Sequence, residues 1–266
     1  MIAKIPLAHI HGGEITEGSW DDNIRHAITK MAHLHFTSTE EYKNRVIQLG
    51  EDPKRVFNVG GMGIENIKKL KLMTKTEFEK SLNFNLNKKN ILISFHPVTL
   101  ENNTSQMQFQ EILNTCKELN DTNFIFTKTN SDLNGKVINK MIDKFVNENK
   151  KNSIGFFSLG QLRYLSALKY MDLIVGNSSS GILEAPSFKL GTINIGDRQK
   201  GRIKAKSVID CIPKKKNLKN CISYSYSKKF KKKLDRVKNP YDKGFSSKKI
   251  INVLKKTEIK NIIKKS

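Results

Sequence analysis

Cysteine, arginine and long apolar runs are all scarce in this chain. Its three cysteines, Cys116, Cys211 and Cys221, are odd in number, far apart and without a CxxC pair. That excludes a disulfide framework and the thiolate zinc patterns. No apolar stretch approaches the roughly 18 to 20 residues that a membrane-spanning helix needs. Met1–Ala8 is too short and too weakly basic for a secretory signal. These absences lead to the expectation of a soluble protein of a reducing cytoplasm, with no membrane partner. Arginine supplies only seven of the 48 basic residues, so the net charge of +23 is mainly lysine, crowded after Lys200 in KKKNLKN and SKKFKKKLDRVK. Nucleic-acid readers combine arginine with aromatic platforms or a known module pattern, and no such module is visible. The excess reads as a solvated face with a positive field, suited to drawing in an anionic ligand rather than to holding nucleic acid.

What is present is an alternation of short apolar runs with amphipathic stretches across 266 residues that are 37% hydrophobic. This is the pattern of parallel strands joined by helices, an α/β fold. Leu7–His11 reads as a strand entering Gly12-Gly13. A helix follows over Asp21–Ala32, with Ile24, Ala27, Ile28 and Met31 as its apolar stripe. Leu34–Thr37 is strand-like, Thr39–Leu49 a helix entered through Ser38 or Thr39, and Val56–Val59 another strand. Ile64–Asn90 is polar and weakly periodic, as a hinge would be. A second series starts at Asn90–Phe95 and continues through helix Ser105–Leu119, strand Asn123–Thr127, helix Lys136–Asn147 and a strand near Ile154. Helix Leu159–Lys169, strand Leu173–Gly176, helix Gly181–Lys189 and strand Thr192–Ile195 complete it as a doubly wound domain. The first series enters a parallel sheet part-way, which leads to the expectation that the chain is N-terminally incomplete.

Five of the six histidines, His9, His11, His26, His33 and His35, lie near Glu14, Glu17, Asp21 and Asp22. HIHGGE stands where a parallel strand ends, and ligands of open α/β sheets sit at such ends. Histidine with carboxylate also suits a metal, but no HExxH or similar spacing supports one, and no metal is expected. Taken singly, His26, His33 and His35 read as satisfied interior or surface histidines. His96 closes the strand NILISF ahead of Pro97, which blocks a helix from starting there. The spacing alone leaves its role open. In GNSSSGILEAPSFKLGTINIGDRQKGR, the strand Leu173–Val175 delivers Ser178, Ser179, Ser180 and Gly181 to a helix start, where backbone N–H groups and hydroxyls suit a diphosphate. Glu184 suits two sugar hydroxyls, such as those of ribose. Arg198 and Arg202 offer charge to phosphates or to the opposite lip.

Assembled in order, HIHGGE, DDNIRHAITKMAHLHF, SFHPVT and GNSSSGILEAPSF…NIGDRQKGR resemble the motifs of the hydrolysing UDP-N-acetylglucosamine 2-epimerases of sialic-acid and related nonulosonate pathways. The resemblance implies a glycosyltransferase-B-like fold of two Rossmann-like doubly wound domains, the first only partly present. Residues 1–63 would be the remainder of that first domain, 64–89 the hinge and 90–239 the UDP-binding domain. Residues 240–266 would hold a returning helix, similar to the family's in NPYDKGFSSKKIINVLKKT, and a basic tail. The implied activity converts UDP-N-acetylglucosamine or a 2,4-diacetamido analogue to the free manno-configured sugar and UDP, through a 2-acetamidoglycal. No cofactor is implied, and the whole protein is expected to be a homo-oligomer serving sialic or legionaminic acid synthesis. By the same resemblance, His11, Glu14 and Asp22 would be acid, base or sugar-orienting residues, and His96 would assist the departing phosphate. Arg25, His33 and His35 would support them from behind. Ser178, Ser179, Ser180, Gly181 and Glu184 would hold diphosphate and ribose, and Arg198 would pair with phosphate. Related non-hydrolysing enzymes carry glutamate where this chain has His11, which points to the hydrolysing branch. The family's N-terminal segment, roughly a hundred residues, has no counterpart here, so this chain by itself is expected to be inactive. A transferase of the same architecture and a non-catalytic UDP-binding fragment are the alternatives.

Overall fold

The computed structural model describes residues 5–16, 20–98, 104–129, 133–258 and 262. Glu17, and Thr99 of SFHPVT, lie outside them. Two compact units emerge. One takes in the chain up to Lys69, Lys200–Arg202 and the chain from Pro240; the other holds Leu70–Gln199 and Ile203–Asn239.

The first unit carries a three-stranded parallel sheet in the order β1 (Ala8–Ile10), β2 (Leu34–Thr37), β3 (Val56–Asn58). Helix α1 (Trp20–Met31) joins β1 to β2, and α2 (Glu40–Gln48) joins β2 to β3. Thr39 caps α2, its hydroxyl accepting the Tyr42 N–H at 3.3 Å, as Ser38/Thr39 ahead of two glutamates predicts. Beyond β3 comes α3 (Met62–Lys69). α1 departs from expectation. Ile24, Ile28 and Met31 are exposed, as are Leu7, just before β1, and Ile10 within it. The inward face of α1 instead carries Asp22, Arg25 and the buried Thr29, which hydrogen-bond to the β1 strand and the loop that follows it. The apolar stripe is left without cover among the described residues.

The second unit opens with α4 (Lys75–Leu82), whose Thr74 and Glu77 form a reciprocal capping box. α3 and α4 both lie in the weakly periodic stretch read as a hinge. Then come β4 (Lys89–Ser94), α5 (Thr104–Cys116), β5 (Thr122–Thr127), α6 (Leu133–Glu148), β6 (Ser153–Phe156), α7 (Gly160–Tyr170) and β7 (Leu173–Gly176). One turn of helix, α8 (Ser180–Leu183), precedes β8 (Gly191–Ile195) and β9 (Val208–Cys211), and helices α9 (Lys215–Ser225) and α10 (Lys228–Asp235) end the unit. All six strands are parallel, in the order β6-β5-β4-β7-β8-β9. The sheet winds outward in both directions from β4 and β7, so the chain reverses between them. That reversal is the switch point where open α/β sheets bind ligands. β4 and β5 are buried almost throughout, each with an apolar run at its centre, Ile91–Ile93 and Phe124–Phe126, and Ile93, Phe109, Phe124, Phe126 and Val175 fill the core.

The expected helix Gly181–Lys189 is split. α8 stops at Leu183 and a 3₁₀ turn, Ala185–Phe188, continues it. Pro186 has no N–H to extend an α-helical ladder, which accounts for the break.

The last helix, α11 (Ser246–Lys256), belongs to the first unit. Ile250 packs there with Leu34, Phe36 and Val59. No helix among the described residues is long and apolar enough to cross a membrane.

Candidate functional site

At the switch point of the second unit, the ends of β4 and β7 are pressed together. Gly176 has φ of 146°, and a Cβ there would stand 1.9 Å from the Ser94 carbonyl oxygen. Asn177 then ties the two loops. Its side-chain carbonyl accepts the His96 N–H at 2.7 Å, and its amide donates to the His96 carbonyl at 2.7 Å. Arg198 and Gln199 both donate to the Asn177 carbonyl, at 3.0 and 2.8 Å. His96 Nδ1 lies 3.0 Å from the Thr129 hydroxyl. Beside these loops is a pocket of about 390 Å³, whose lining includes His96, Lys128, Tyr164, Ser178, Ser179 and Glu184. Ser180 and Phe157 also line it.

Within the pocket, Tyr164 donates to Ser180 Oγ at 2.6 Å, and Ser180 in turn hydrogen-bonds Glu184. Burial raises the Glu184 carboxyl above its ordinary value, and the Ser180 bond only partly offsets it. Such a carboxylate gains by accepting hydrogen bonds from ligand hydroxyls. Lys128 brings a cation to the wall, its Nζ 2.6 Å from Asp143 and 4.3 Å from the Phe157 ring centroid. The helix-start argument weakens, because Gly181 and Ile182 already donate to the Ser178 and Ser179 carbonyls. Hydroxyls and Lys128 are left as the main donors. Arg198 is not part of the wall and bears on it through Asn177.

In the first unit, the loop after β1 is clamped residue by residue. His11 adopts a left-handed φ of 65°, and its Nδ1 lies 2.7 Å from Glu14 Oε1. The buried Ser38 donates to the same oxygen at 3.0 Å. Gly13, with φ of 77°, has no room for a Cβ, which would come within 2.3 Å of the Tyr42 carbonyl. Arg45 donates to the Gly13 carbonyl. Arg25 donates to the Glu14 carbonyl and to Asp22, both at 3.0 Å, while Asp22 accepts the Thr16 N–H at 3.0 Å. Burial pushes the Glu14 carboxyl up, but the His11 hydrogen bond, the charges of His11 and Arg202, and the Ser38 hydroxyl outweigh it, so it sits below the ordinary carboxylate range. Arg202 lies in the first unit and is buried. Its side chain is 7% exposed and donates to the Ile15 carbonyl and the Thr16 hydroxyl.

The remaining histidines separate by depth along the strands. His33 precedes β2 and accepts the Leu7 N–H at 3.1 Å, so it stands at the amino end of the sheet, away from His11. His35 is buried within β2 and bonds Glu51 at 3.1 Å. His9 lies under the turn, where a Cβ on Gly12 would meet its ring at 3.1 Å. Thr29 donates to the Arg25 carbonyl, so at 3.2 Å its oxygen accepts from His9 Nδ1. Burial first, then the charges of His35 and Arg25, push His9 down to about 4. The unfolded chain takes up this proton near pH 6.5, the folded chain only near 4, so stability from His9 is present above pH 6.5 and lost as pH falls toward 4. We expect about 2 kcal/mol from this source. Urea unfolding at pH 7, 5.5 and 4.5 should show a steeper acid decline for the wild type than for His9→Gln, and parallel declines would refute it.

The sequence reading missed Ser38 as the partner of Glu14 in the first unit, and in the second it missed Lys128 and Tyr164 in the pocket wall and the Asn177 bridge to His96. Among the described residues no group of three His, Cys, Asp or Glu is placed to hold a metal ion.

A six-stranded parallel sheet wound outward from its centre, with a polar pocket at the reversal, defines a Rossmann-like α/β protein. The profile of the UDP-N-acetylglucosamine 2-epimerase family matches residues 1–255, and the chain belongs to that family. It is 45% identical over 210 residues to GDP/UDP-N,N'-diacetylbacillosamine 2-epimerase (hydrolyzing) of Campylobacter jejuni, covering 79% of this chain and 55% of that protein. To polysialic acid biosynthesis protein P7 of Escherichia coli it is 43% identical over 262 residues, covering 98% of this chain and 65% of the relative. The chain thus spans somewhat over half the length of these curated relatives. The UDP-N-acetylglucosamine 2-epimerase of Neisseria meningitidis bound to UDP-N-acetylglucosamine superimposes with a TM-score of 0.80 at 22% identity, over 96% of this chain and 71% of that one. This likeness shows the fold: parallel α/β, Rossmann-like and of the glycosyltransferase-B-like kind.

Proposed function

We propose that the protein is a hydrolysing UDP-N-acetylhexosamine 2-epimerase. The observation that carries this reading is the His11–Glu14 pair, a histidine and a carboxylate in direct contact at the carboxyl end of a parallel strand, in a chain of this family. The C2 hydrogen of the sugar is very weakly acidic, so its removal needs a placed base and stabilisation of the leaving group. A base takes the C2 proton, the C1–O bond to UDP breaks with its electron pair going to UDP, and a C1=C2 double bond forms. Water then adds its hydroxyl at C1, and a proton returns to C2 on the opposite face. His11 and Glu14 serve the proton steps, with Asp22 and Arg25 fixing their loop. His96, Ser178, Ser179 and Lys128 receive the diphosphate, and Glu184 accepts from ribose hydroxyls.

The substrate is UDP-N-acetylglucosamine or its 2,4-diacetamido analogue, a choice supported by the names of the Campylobacter jejuni and Neisseria meningitidis enzymes. The Escherichia coli relative's name supports a place in sialic-acid-type synthesis, and the free cysteines support the cytoplasm. Turnover in heavy water, by the protein extended to the length of its relatives, must put deuterium at C2 of a free sugar. Product without that label refutes elimination and re-addition, and a requirement for an acceptor other than water would indicate a transferase.

A further inference from the structure

Glu14 is held more firmly than a carboxylate that only faces a sugar needs to be. One oxygen, Oε1, meets two groups, His11 Nδ1 at 2.7 Å and the Ser38 hydroxyl at 3.0 Å. The other, Oε2, faces the Arg202 guanidinium at 3.6 Å. Arg202 is itself fixed, Nε on the Ile15 carbonyl at 2.9 Å and Nη2 on the Thr16 hydroxyl at 3.1 Å. Ser38 is wholly buried and follows β2 by one residue. The His11 N–H bonds the Phe36 carbonyl at 2.9 Å, which fixes the His11 backbone beside the end of that same strand. The left-handed turn at His11 then carries its ring back over Glu14.

We propose that Ser38 and Arg202 are positioning residues that hold the Glu14 carboxylate on His11 Nδ1, so that His11 exchanges protons with substrate through Nε2 alone. The proposal rests on the reading of His11 as a proton-transfer group and adds which of its nitrogens works and what selects it. The chemistry of the donors requires this assignment. An ionised carboxylate only accepts, and Ser38 donates its one hydrogen to Oε1, so the hydrogen between His11 and Glu14 belongs to Nδ1. Free imidazole in water prefers the other tautomer, with hydrogen on Nε2. The fixed carboxylate reverses that preference and leaves the lone pair on Nε2. Two oxygens engaged from different sides also stop the carboxylate rotating away from the ring. The path of the loop does not depend on the Ser38 hydroxyl, since Arg45 and Arg25 hold the Gly13 and Glu14 carbonyls independently.

Nitrogen-15 NMR of the histidine-labelled 266-residue chain at pH 8 reads which ring nitrogen of His11 carries hydrogen. In the wild type the hydrogen should be on Nδ1. Ser38→Ala and Arg202→Met should each raise the share with hydrogen on Nε2 by about threefold or more, the range for losing one supporting hydrogen bond or charge, and Ser38→Thr should restore the wild-type ratio. His9, packed beneath the same turn, is the internal control, and unchanged His9 signals show that the loop has kept its fold. If Arg202→Met disturbs His9, the Ser38 variants alone decide. Hydrogen on Nε2 in the wild type, or a tautomer ratio unmoved by Ser38→Ala, overturns the proposal. The deuterium experiment is a separate trial of the epimerase reading. A locked tautomer without C2 exchange would remove the function and keep the lock, and C2 exchange with an unlocked ring would do the reverse.

Discussion

Replacing Gly176 by alanine lowers the stability of the second unit by about 3 kcal/mol or more and removes UDP binding with it. Two independent effects act there. The backbone φ of 146° is one that L side chains rarely adopt. The new Cβ would also stand 1.9 Å from the Ser94 carbonyl oxygen, against backbone that cannot swing aside as a side chain could. Ser94 and Gly176 are paired across β4 and β7, so relief must part the two central strands. Parting them breaks the Asn177–His96 bridge and moves the serines from the pocket wall. Urea unfolding followed by far-ultraviolet circular dichroism, with isothermal titration of UDP, reads both effects. An alanine variant with wild-type stability and affinity would show that the strand ends are not pressed together as described.

On the proposed function, the 266-residue chain by itself should bind UDP yet release none from UDP-N-acetylglucosamine or the diacetamido sugar nucleotide. The pocket with Ser178, Ser179, Lys128 and Glu184 lies wholly within the second unit, so under the proposed function the grip on UDP should not need further chain, and Glu184→Ala should weaken it roughly tenfold or more, as losing a charged hydrogen-bond acceptor does. Proton transfer is a different matter. β1 is the edge of its sheet among the described residues, and Ile10, Ile24, Ile28 and Met31 are exposed around it. The His11 side chain is itself 35% exposed. Open edges and uncovered apolar faces of this kind are surfaces that further protein covers. Left exposed to water, the His11–Glu14 pair would be a weaker proton-transfer group, because solvent screens its charges. Incubation with either sugar nucleotide should give no more UDP than a His96→Ala control. Clear release of UDP with a free 2-epimeric sugar would show that these residues suffice.

The strands and most helices are legible because their hydrophobic periods survive in the sequence, as in NILISF for β4 and LIVG for β7. β9, α9 and α10 are not, because the lysines that crowd residues 200–239 hide the short apolar runs, and β9 is an edge strand that is only partly buried. The loops with His11, His96 and Ser178–Ser180 are legible as strand ends followed by small or polar residues. Their partners are not. Ser38 lies 24 residues from Glu14, Asn177 lies 81 from His96 and Arg202 lies 187 from Ile15, and nothing local marks such pairs. The face that α1 turns inward is not legible for a related reason. Its apolar stripe is plain, but which side turns inward is decided by the polar contacts of Asp22, Arg25 and Thr29, which periodicity does not register. His33 could have been placed correctly from the sequence, since a residue just before a parallel strand belongs to the sheet's amino end.

The first unit is begun before the second and finished after it. Its core needs Ile250 and Ile262 against Leu34, Phe36 and Val59, and the Tyr42 hydroxyl meets that of Tyr241 at 3.0 Å across 199 residues of chain. At translation rates of roughly 5 to 20 residues per second, β1, β2 and β3 wait on the order of ten seconds or more for those partners to leave the ribosome. The second unit, nearly continuous from Leu70 to Asn239, has all its strands in hand before then. During synthesis the order of folding is therefore the reverse of the order of emergence, and the growing chain exposes the histidine-bearing strands for as long as the rest takes to be made.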